Sequence, residues 1–335
     1  MNIKQEIILH AKEIGIDKIG FCRGDGELQQ KELKDAKSFI VILESYNLYS
    51  DNNWTSKLYG KMSKAAIFED YHKIVRRKLE RLQHFITDRF KCNSNIYCDQ
   101  SPFFDRSIAL RAGLGAIGKN TFLINKEHGT STFIGYVLTD LKLDHYNTEI
   151  HDDYCEGCEK CAQACPSKAI TVGKEFNANR CLSYLTQAKI VPNDLKEMMK
   201  NHLYGCDICQ LACPYNKPSN KNNEHAPIID EFFDLKAIMS LNNTQFKSSI
   251  GKTAAGWRGK KMLQRNAIIA LGNNKSNESV HLLNEFYQDI RVDIRTEIVH
   301  SLGRIGSAEA KQVLKERYKL EKNEEVRYLI TKYLL

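Results

Sequence analysis

Cys155, Cys158, Cys161 and Cys165 follow one another at x2, x2 and x3 spacing, and Pro166 closes the run. This is the pattern of paired 4Fe–4S sites, in which three thiolates hold one cube and the fourth ligates its neighbour. The x2 gaps let tight turns aim three sulfurs at three iron corners, and the proline ends the turn before the next helix can continue. A second run, Cys206-x2-Cys209-x3-Cys213-Pro214, lacks one cysteine, which Cys181 can supply from the intervening segment. Crossing over the last thiolate of each run gives Cys155, Cys158, Cys161 and Cys213 for one cluster. The other takes Cys165, Cys181, Cys206 and Cys209. Two four-cysteine zinc sites would use the same residues, but have no need of the x2-x2-x3-Pro run. Cys22, Cys92 and Cys98 complete the 11 cysteines and read as small buried residues in strands or turns.

Gly113-Leu-Gly115-Ala-Ile-Gly118 fits a dinucleotide fingerprint, and Gly113 to Lys119 fits the start of a phosphate loop. Both need a strand before the glycines and a helix after them. Here 106–112 reads as helix and 121–125 as strand, the reverse order, and Asn120 stands where magnesium would need Ser or Thr. Neither nucleotide reading survives. The loop's N–H groups and Lys119 still suit a polar or anionic cofactor edge.

The elements that must position these residues fall into three stretches of the 335 residues. Residues 1–150 mix helix (3–14, 69–85) with short strands (18–22, 38–44, 95–99, 132–139), and periodicity leaves α/β or α+β open. Residues 151–217 hold eight cysteines and little apolar material, so metal must organise them. Residues 218–230 read as a linker. From about 235 to 335 the pattern is helical and repeats: Arg265–Gly272 is echoed by Arg295–Gly303 and, more weakly, by Arg327–Leu334. A period of about 31–32 residues with Leu-Gly at a helix end marks stacked helical hairpins of the HEAT kind.

The formal charge of +8 is uneven. Residues 251–335 carry 16 Lys+Arg and 10 Asp+Glu, leaving 33 against 31 for the rest. A basic helical tail is a candidate for an anionic partner, against the plainer reading of a solvated helical surface. No apolar run approaches the roughly 18 residues of a membrane span. The N-terminal stretch lacks the apolar core of a signal peptide, so a cytoplasmic protein with reduced thiols is expected.

Several motifs in order give the chain a more specific likeness: 97–106 (YCDQSPFFDR), 111–121 (RAGLGAIGKNT), the two cysteine runs, 181–187 (CLSYLTQ), 203–209 (LYGCDIC), 257–259 (WRG) and 265–273 (RNAIIALGN). From about Tyr71 onward the chain resembles the epoxyqueuosine reductases, cobalamin-dependent iron–sulfur enzymes of the last step in making queuosine in tRNA. The resemblance implies an α+β architecture. An N-terminal α/β cobalamin-binding catalytic domain (1–150) precedes a ferredoxin-like domain with two 4Fe–4S clusters (151–217) and all-α HEAT-like repeats that bind tRNA (235–335). It implies that Asp99 is the proton donor, and that Arg106, Lys119, Asn120, Ser183 and Asp207 join it along a corrin held without a histidine ligand. Asp99 can serve only if its pKa lies well above about 4. The implied partners are a tRNA with a queuosine-type wobble base and an external low-potential electron donor, and the implied state is a monomer. In the basic tail Arg258, Lys260, Lys261, Arg265 and Arg295, with Lys252 and Arg291, suit phosphate contacts. The competing readings are a two-cluster electron carrier, a cobalamin reductive dehalogenase and a zinc-bearing RNA-binding module.

Overall fold

The computed structural model of the chain describes residues 2–46, 57–173, 175–216 and 225–335. Its larger sheet has four strands, with Lys18–Arg23, Ser38–Ser45, Thr132–Thr139 and Ser94–Tyr97 side by side in that order. Every pairing is antiparallel, so the mixed content resolves as α+β. Ser38–Ser45 is apolar almost without interruption because both of its faces are covered. Helices Ile3–Glu13 and Tyr71–Phe90 pack on one face through Ile7, Val75, Leu79 and Leu82, and Asp105–Arg111 packs on the other through Ile108 and Ala109.

Helix Tyr71–Phe90 begins two residues later than its periodicity predicts, because Asp70 caps it by accepting from the His72 backbone N–H. It ends at Lys91, whose backbone is left-handed. Its close approach to the sheet depends on Gly135, where a Cβ would stand 2.4 Å from Val75 Cγ1.

A second sheet crosses the expected domain boundaries. Tyr59–Met62 pairs in parallel with His202–Tyr204, from the cysteine-rich segment, and antiparallel with Phe232–Asp234, which leads into the repeats. The predicted stretches are therefore interleaved rather than strung in series. The repeat helices Lys260–Asn274, Val292–Ile305 and Glu324–Leu334 alternate with Asn277–Glu285 and Ala308–Leu320. Their apolar core is continuous with Tyr46, Leu58, Met62 and Leu203. Of the linker at 218–230, residues 218–224 lie outside the described residues. Among the described residues no helix is long and apolar enough to cross a membrane.

Candidate active site

Two short helices, Lys160–Ala164 and Ile208–Leu211, pack against each other and carry Cys161 and Cys209. The remaining cysteines flank these helices or, for Cys181, cap helix Leu182–Leu185. Burial raises Cys161 and Cys213, and each is pushed further up by Cys155 and Cys158. Burial pushes Cys206 up to about 12, with Cys181 and Cys165 adding to it, and Cys209 is raised by burial and by Cys206, Cys181, Cys161 and Cys165. All eight predicted ligands thus lie in one region, with Cys161 and Cys209 neighbours across it. Among the described residues no three thiol sulfurs lie mutually within 4.8 Å. Backbone N–H groups already point at the sulfurs, Lys119 N at Cys155 Sγ (3.4 Å) and Ala169 N at Cys165 Sγ (3.3 Å).

Beside the cysteines lie two adjoining cavities of about 500 and about 660 Å³. They share Tyr71, Asp99, Gln187, Tyr204 and Ala254, so Asp99 stands at their junction. The first reaches down to Cys206, one of the expected ligands Cys165, Cys181, Cys206 and Cys209 (the inner set, the other four being the outer set), and is walled by Tyr46, Phe103 and Phe133. Gly205 lines it too, with a left-handed backbone and no room for a Cβ, which would come 2.4 Å from Ser63 Cβ. The buried Oγ1 of Thr132, on the same wall, has no hydrogen-bond partner. An orphaned buried hydroxyl is costly unless a ligand meets it. No histidine lines this cavity among the described residues.

Asp99 has a left-handed backbone (φ 60°), a conformation that aspartate tolerates better than most residues with a side chain. Its Oδ2 accepts from Tyr71 Oη and stands 3.4 Å from His72 Nε2. The other ring nitrogen, Nδ1, lies 2.7 Å from Asp70 Oδ1. Tyr71 is sandwiched between His72 and Phe133, with ring centroids 4.1 and 4.2 Å away. Burial pushes the Asp99 carboxyl up, but the contacts from His72 and Tyr71 and the charges of His72 and Arg106 outweigh it, leaving it below its ordinary value. The raised carboxyl expected of Asp99 is therefore not found there; burial instead raises Asp105 and Asp207 in the deeper cavity. Next to Asp99, His72 is lifted to about 9 by contact with Asp70 and then with Asp99.

The other predicted residues divide. Arg106, Ser183 and Asp207 line the deeper cavity. Arg106 donates to Thr121 O at 2.8 Å, and Asp207 is buried, accepting from Ser63 Oγ (2.6 Å) and Lys64 N (2.8 Å). Lys119 and Asn120 line neither cavity. Lys119 instead reaches Cys158 O at 2.8 Å and pairs with Glu159, so the glycine loop serves the outer cysteine set. Asn120 is buried against its own turn.

In the tail, Arg265 is buried and donates to the carbonyls of Leu185, Thr186, Ala188 and Lys189 at 3.1–3.4 Å. Arg295 is committed to both Glu321 oxygens at 2.8 and 2.9 Å. Both belong to internal structure, a correction to their reading as phosphate contacts. Arg258 and Lys261 are exposed and Lys260 is partly so.

Sequence reasoning missed Asp70, Tyr71 and His72 as site residues, although an Asp-Tyr-His at a helix start was visible. It also missed Cys98, half-buried and lining the outer cavity, and the neighbouring role of Tyr204. Cys92 is likewise only half-buried.

Three family models match the chain. One is described as a 4Fe-4S double cluster binding domain (residues 154–216), one as HEAT repeats (258–334) and one as Epoxyqueuosine reductase QueG, DUF1730 (29–100). The epoxyqueuosine reductase of Bacillus subtilis is 31% identical, over 98% of this chain and 95% of its own length. A solved epoxyqueuosine reductase with an epoxyqueuosine-modified tRNA-Tyr stem loop is similar at a TM-score of 0.91 and 31% identity, covering 99% of this chain and 98% of that one. A Bacillus subtilis structure with its catalytic aspartate loop swung out of the active site matches at 0.90 and 30% identity, with the same coverage.

Proposed function

The chain belongs to the epoxyqueuosine reductase family, and on that premise we propose that it reduces epoxyqueuosine to queuosine at the tRNA wobble position, using two 4Fe–4S clusters and cobalamin. The observation that carries this reading is the junction of the two cavities. One cleft brings a carboxylate, Asp99, and a cluster-ligand cysteine, Cys206, to the same space. That is what a two-electron, two-proton reduction of a bound group needs.

The deeper cavity supports a corrin by its aromatic walls, by the orphaned Thr132 hydroxyl and by its floor at Cys206. Arg106, Ser183, Asp207 and Thr132 would hold it. Cobalamin, when bound, supplies a strongly reducing cobalt centre for opening the epoxide. Asp99, at the mouth of that cavity, faces the epoxide oxygen. Because its carboxyl lies below its ordinary value, it must be given a proton by a neighbour or by solvent before it can pass one on. We take its loop as the counterpart of the catalytic loop that is swung out of the active site in the Bacillus subtilis relative. Tyr71, stacked on Phe133, fixes the carboxylate by its hydroxyl.

The outer cavity receives the nucleotide, which must leave its stack to reach the chemistry. At its lip Trp257 is 64% exposed, its ring held by Nε1 donating to Tyr204 Oη at 3.1 Å, with the Arg258 guanidinium 3.8 Å from the ring centre. This pair suits stacking and phosphate contact with a single-stranded loop. Lys260 and Lys261 line an adjoining groove. The outer cysteine set lies among exposed residues such as Glu156 and Gly157, which supports entry of electrons from an external low-potential donor. One chain holds every residue of the site, so we take the active unit to be a monomer, working in the cytoplasm where tRNA and reduced thiols are found.

The test incubates reduced, iron- and cobalamin-loaded protein with tRNA carrying epoxyqueuosine, and reads the nucleosides by mass spectrometry. Queuosine, one oxygen lighter, is expected. Its absence from protein shown to be fully loaded would overturn the reading.

A further inference from the structure

We propose that His72 is the proton reservoir of the site: its Nε2–H recharges Asp99 through Oδ2, so that one carboxylate can deliver both protons that turn the epoxide oxygen into water. This deepens the function proposed above and rests on it.

The argument begins with stoichiometry. Converting an epoxide to an alkene breaks two C–O bonds, forms one C=C bond and releases the oxygen as water. It consumes two electrons, which the external donor supplies through the clusters, and two protons. Both protons go to the same oxygen. A single carboxyl holds one, so Asp99 must be reloaded within each turnover.

Among the described protein groups that touch Asp99, one can supply the proton. The Asp99 side chain is itself 50% exposed, so solvent water is the competing source from which variants must separate it. Asp99 Oδ2 is met by Tyr71 Oη and by His72 Nε2 at 3.4 Å, with the Arg106 charge also acting on it. A guanidinium does not give up its proton in proteins. Burial pushes the Tyr71 phenol far above its ordinary value, so it donates a hydrogen bond and keeps its proton. His72 alone among these contacts has a proton that exchanges near neutrality. Asp70 accepts at Nδ1 (2.7 Å), which fixes the ring so that the proton leaving is the one on Nε2. The side chain is 36% exposed, open enough for water to restore it. Each proton thus passes from His72 Nε2 to Asp99 Oδ2, from Asp99 to the substrate oxygen, and from solvent back to His72.

Of the other titratable neighbours, Asp105 is raised by burial and feels the Asp99 charge, but its carboxylate is taken up by Tyr136 Oη (2.6 Å) and Ser101 Oγ (3.2 Å) rather than by Asp99. Arg76, on the same helix, and Tyr204, from strand His202–Tyr204, line the cavity around His72. Cys98, from the Asp99 loop, is driven upward by burial and by the Asp99 charge, and stays a thiol. The imidazolium is raised to about 9, above its unperturbed 6.5, so the reservoir is full at neutral pH and empties as pH rises through about 9.

His72→Gln keeps a hydrogen-bond donor toward Asp99 but cannot titrate, so it separates support from proton supply. Tested with loaded protein and epoxide-bearing stem loop, it should keep iron content and stem-loop affinity. Turnover should fall on the order of 10²-fold and lose the wild-type alkaline limb near pH 9. A second reading uses no turnover: with labelled histidine, the His72 ring should titrate well above 6.5, and in Asp99→Asn its midpoint should drop by about one unit or more. Wild-type turnover by His72→Gln with an unchanged pH profile, or an ordinary His72 midpoint unmoved by Asp99→Asn, overturns the proposal. A wild-type protein that makes no queuosine fails the functional reading instead, which the same series reveals through its wild-type arm.

Discussion

Charge on the helical tail can be separated into what faces RNA and what is spent on the fold, and salt dependence measures the division. Each phosphate contact to a single strand contributes about −0.7 to the slope of log K against log salt. With Arg265 and Arg295 spent on the fold and Arg291 paired with Asp289, Arg258, Lys260 and Lys261 form the cluster beside Trp257 that is left for phosphate, with Lys252 exposed as well. Arg258 is poised over Trp257, and Lys261 need only exchange its exposed partner Asp293, a pairing of little worth. Replacing all three with Gln should therefore flatten the slope by about 2. Between about 50 and 200 mM salt the wild type should lose roughly 20-fold more affinity than the variant. Fluorescence anisotropy with an anticodon stem loop gives both slopes. Arg265 and Arg295 are the internal controls, because their donors are occupied by backbone carbonyls and by Glu321. The reasoning fails if the triple variant keeps the wild-type slope, or if a folded Arg295→Gln flattens it as much.

Three further outcomes follow from the same structure. Cys213→Ser and Cys181→Ser should each lower iron from about eight to about four per chain while removing different clusters, so loss of the same paramagnetic signal in both would contradict the two sets. Trp257→Ala should weaken stem-loop binding by about 1–3 kcal/mol at unchanged iron content, and unaltered affinity would remove the stacking role. Glu321 is held down to about 2 from 4.5, first by its hydrogen bond from Arg295. It therefore adds stability that is complete above about pH 4.5 and is lost as pH falls toward about 2. Thermal melts followed by helical circular dichroism should show that loss in the wild type and a flatter dependence in Glu321→Gln, and parallel pH curves would refute it.

The cluster ligands were legible because their chemistry imposes a spacing along the chain that chance rarely supplies. Asp99 was legible only through the motif around it, since nothing in the sequence announces a left-handed aspartate. Its partners were hidden for another reason. Tyr71 and His72 meet Asp99 because helix Tyr71–Phe90 packs against the strand preceding the loop, and such contacts follow from tertiary packing alone. The misreading of Arg265 has the opposite cause. Its place in a repeat suggested an exposed cation, but the helix that carries it is buried on nearly every side. Net charge counts residues without saying which of them reach solvent. Lys119 shows the same limit, since a glycine loop supplies N–H groups without specifying the cofactor they face.

The buried arginine also explains why the repeats are interleaved with the redox domain rather than appended to it. Helix Leu182–Leu185 is one turn long and begins at Cys181, and the carbonyls at its C-terminal end and just beyond it lie open to side-chain donors. Arg265 takes four carbonyls there, and Asn266 Nδ2 donates to Thr186 O at 2.8 Å and to Leu203 O at 2.7 Å. One dipeptide thus anchors the helix of an inner-cluster cysteine and the strand leading to Cys206. Eight residues earlier, Trp257 is tied to Tyr204, which lies between the two cavities. The lip proposed for RNA and the clamp that holds the segments of Cys181 and Cys206 therefore share one short segment. Any displacement of that segment on RNA binding must act on both.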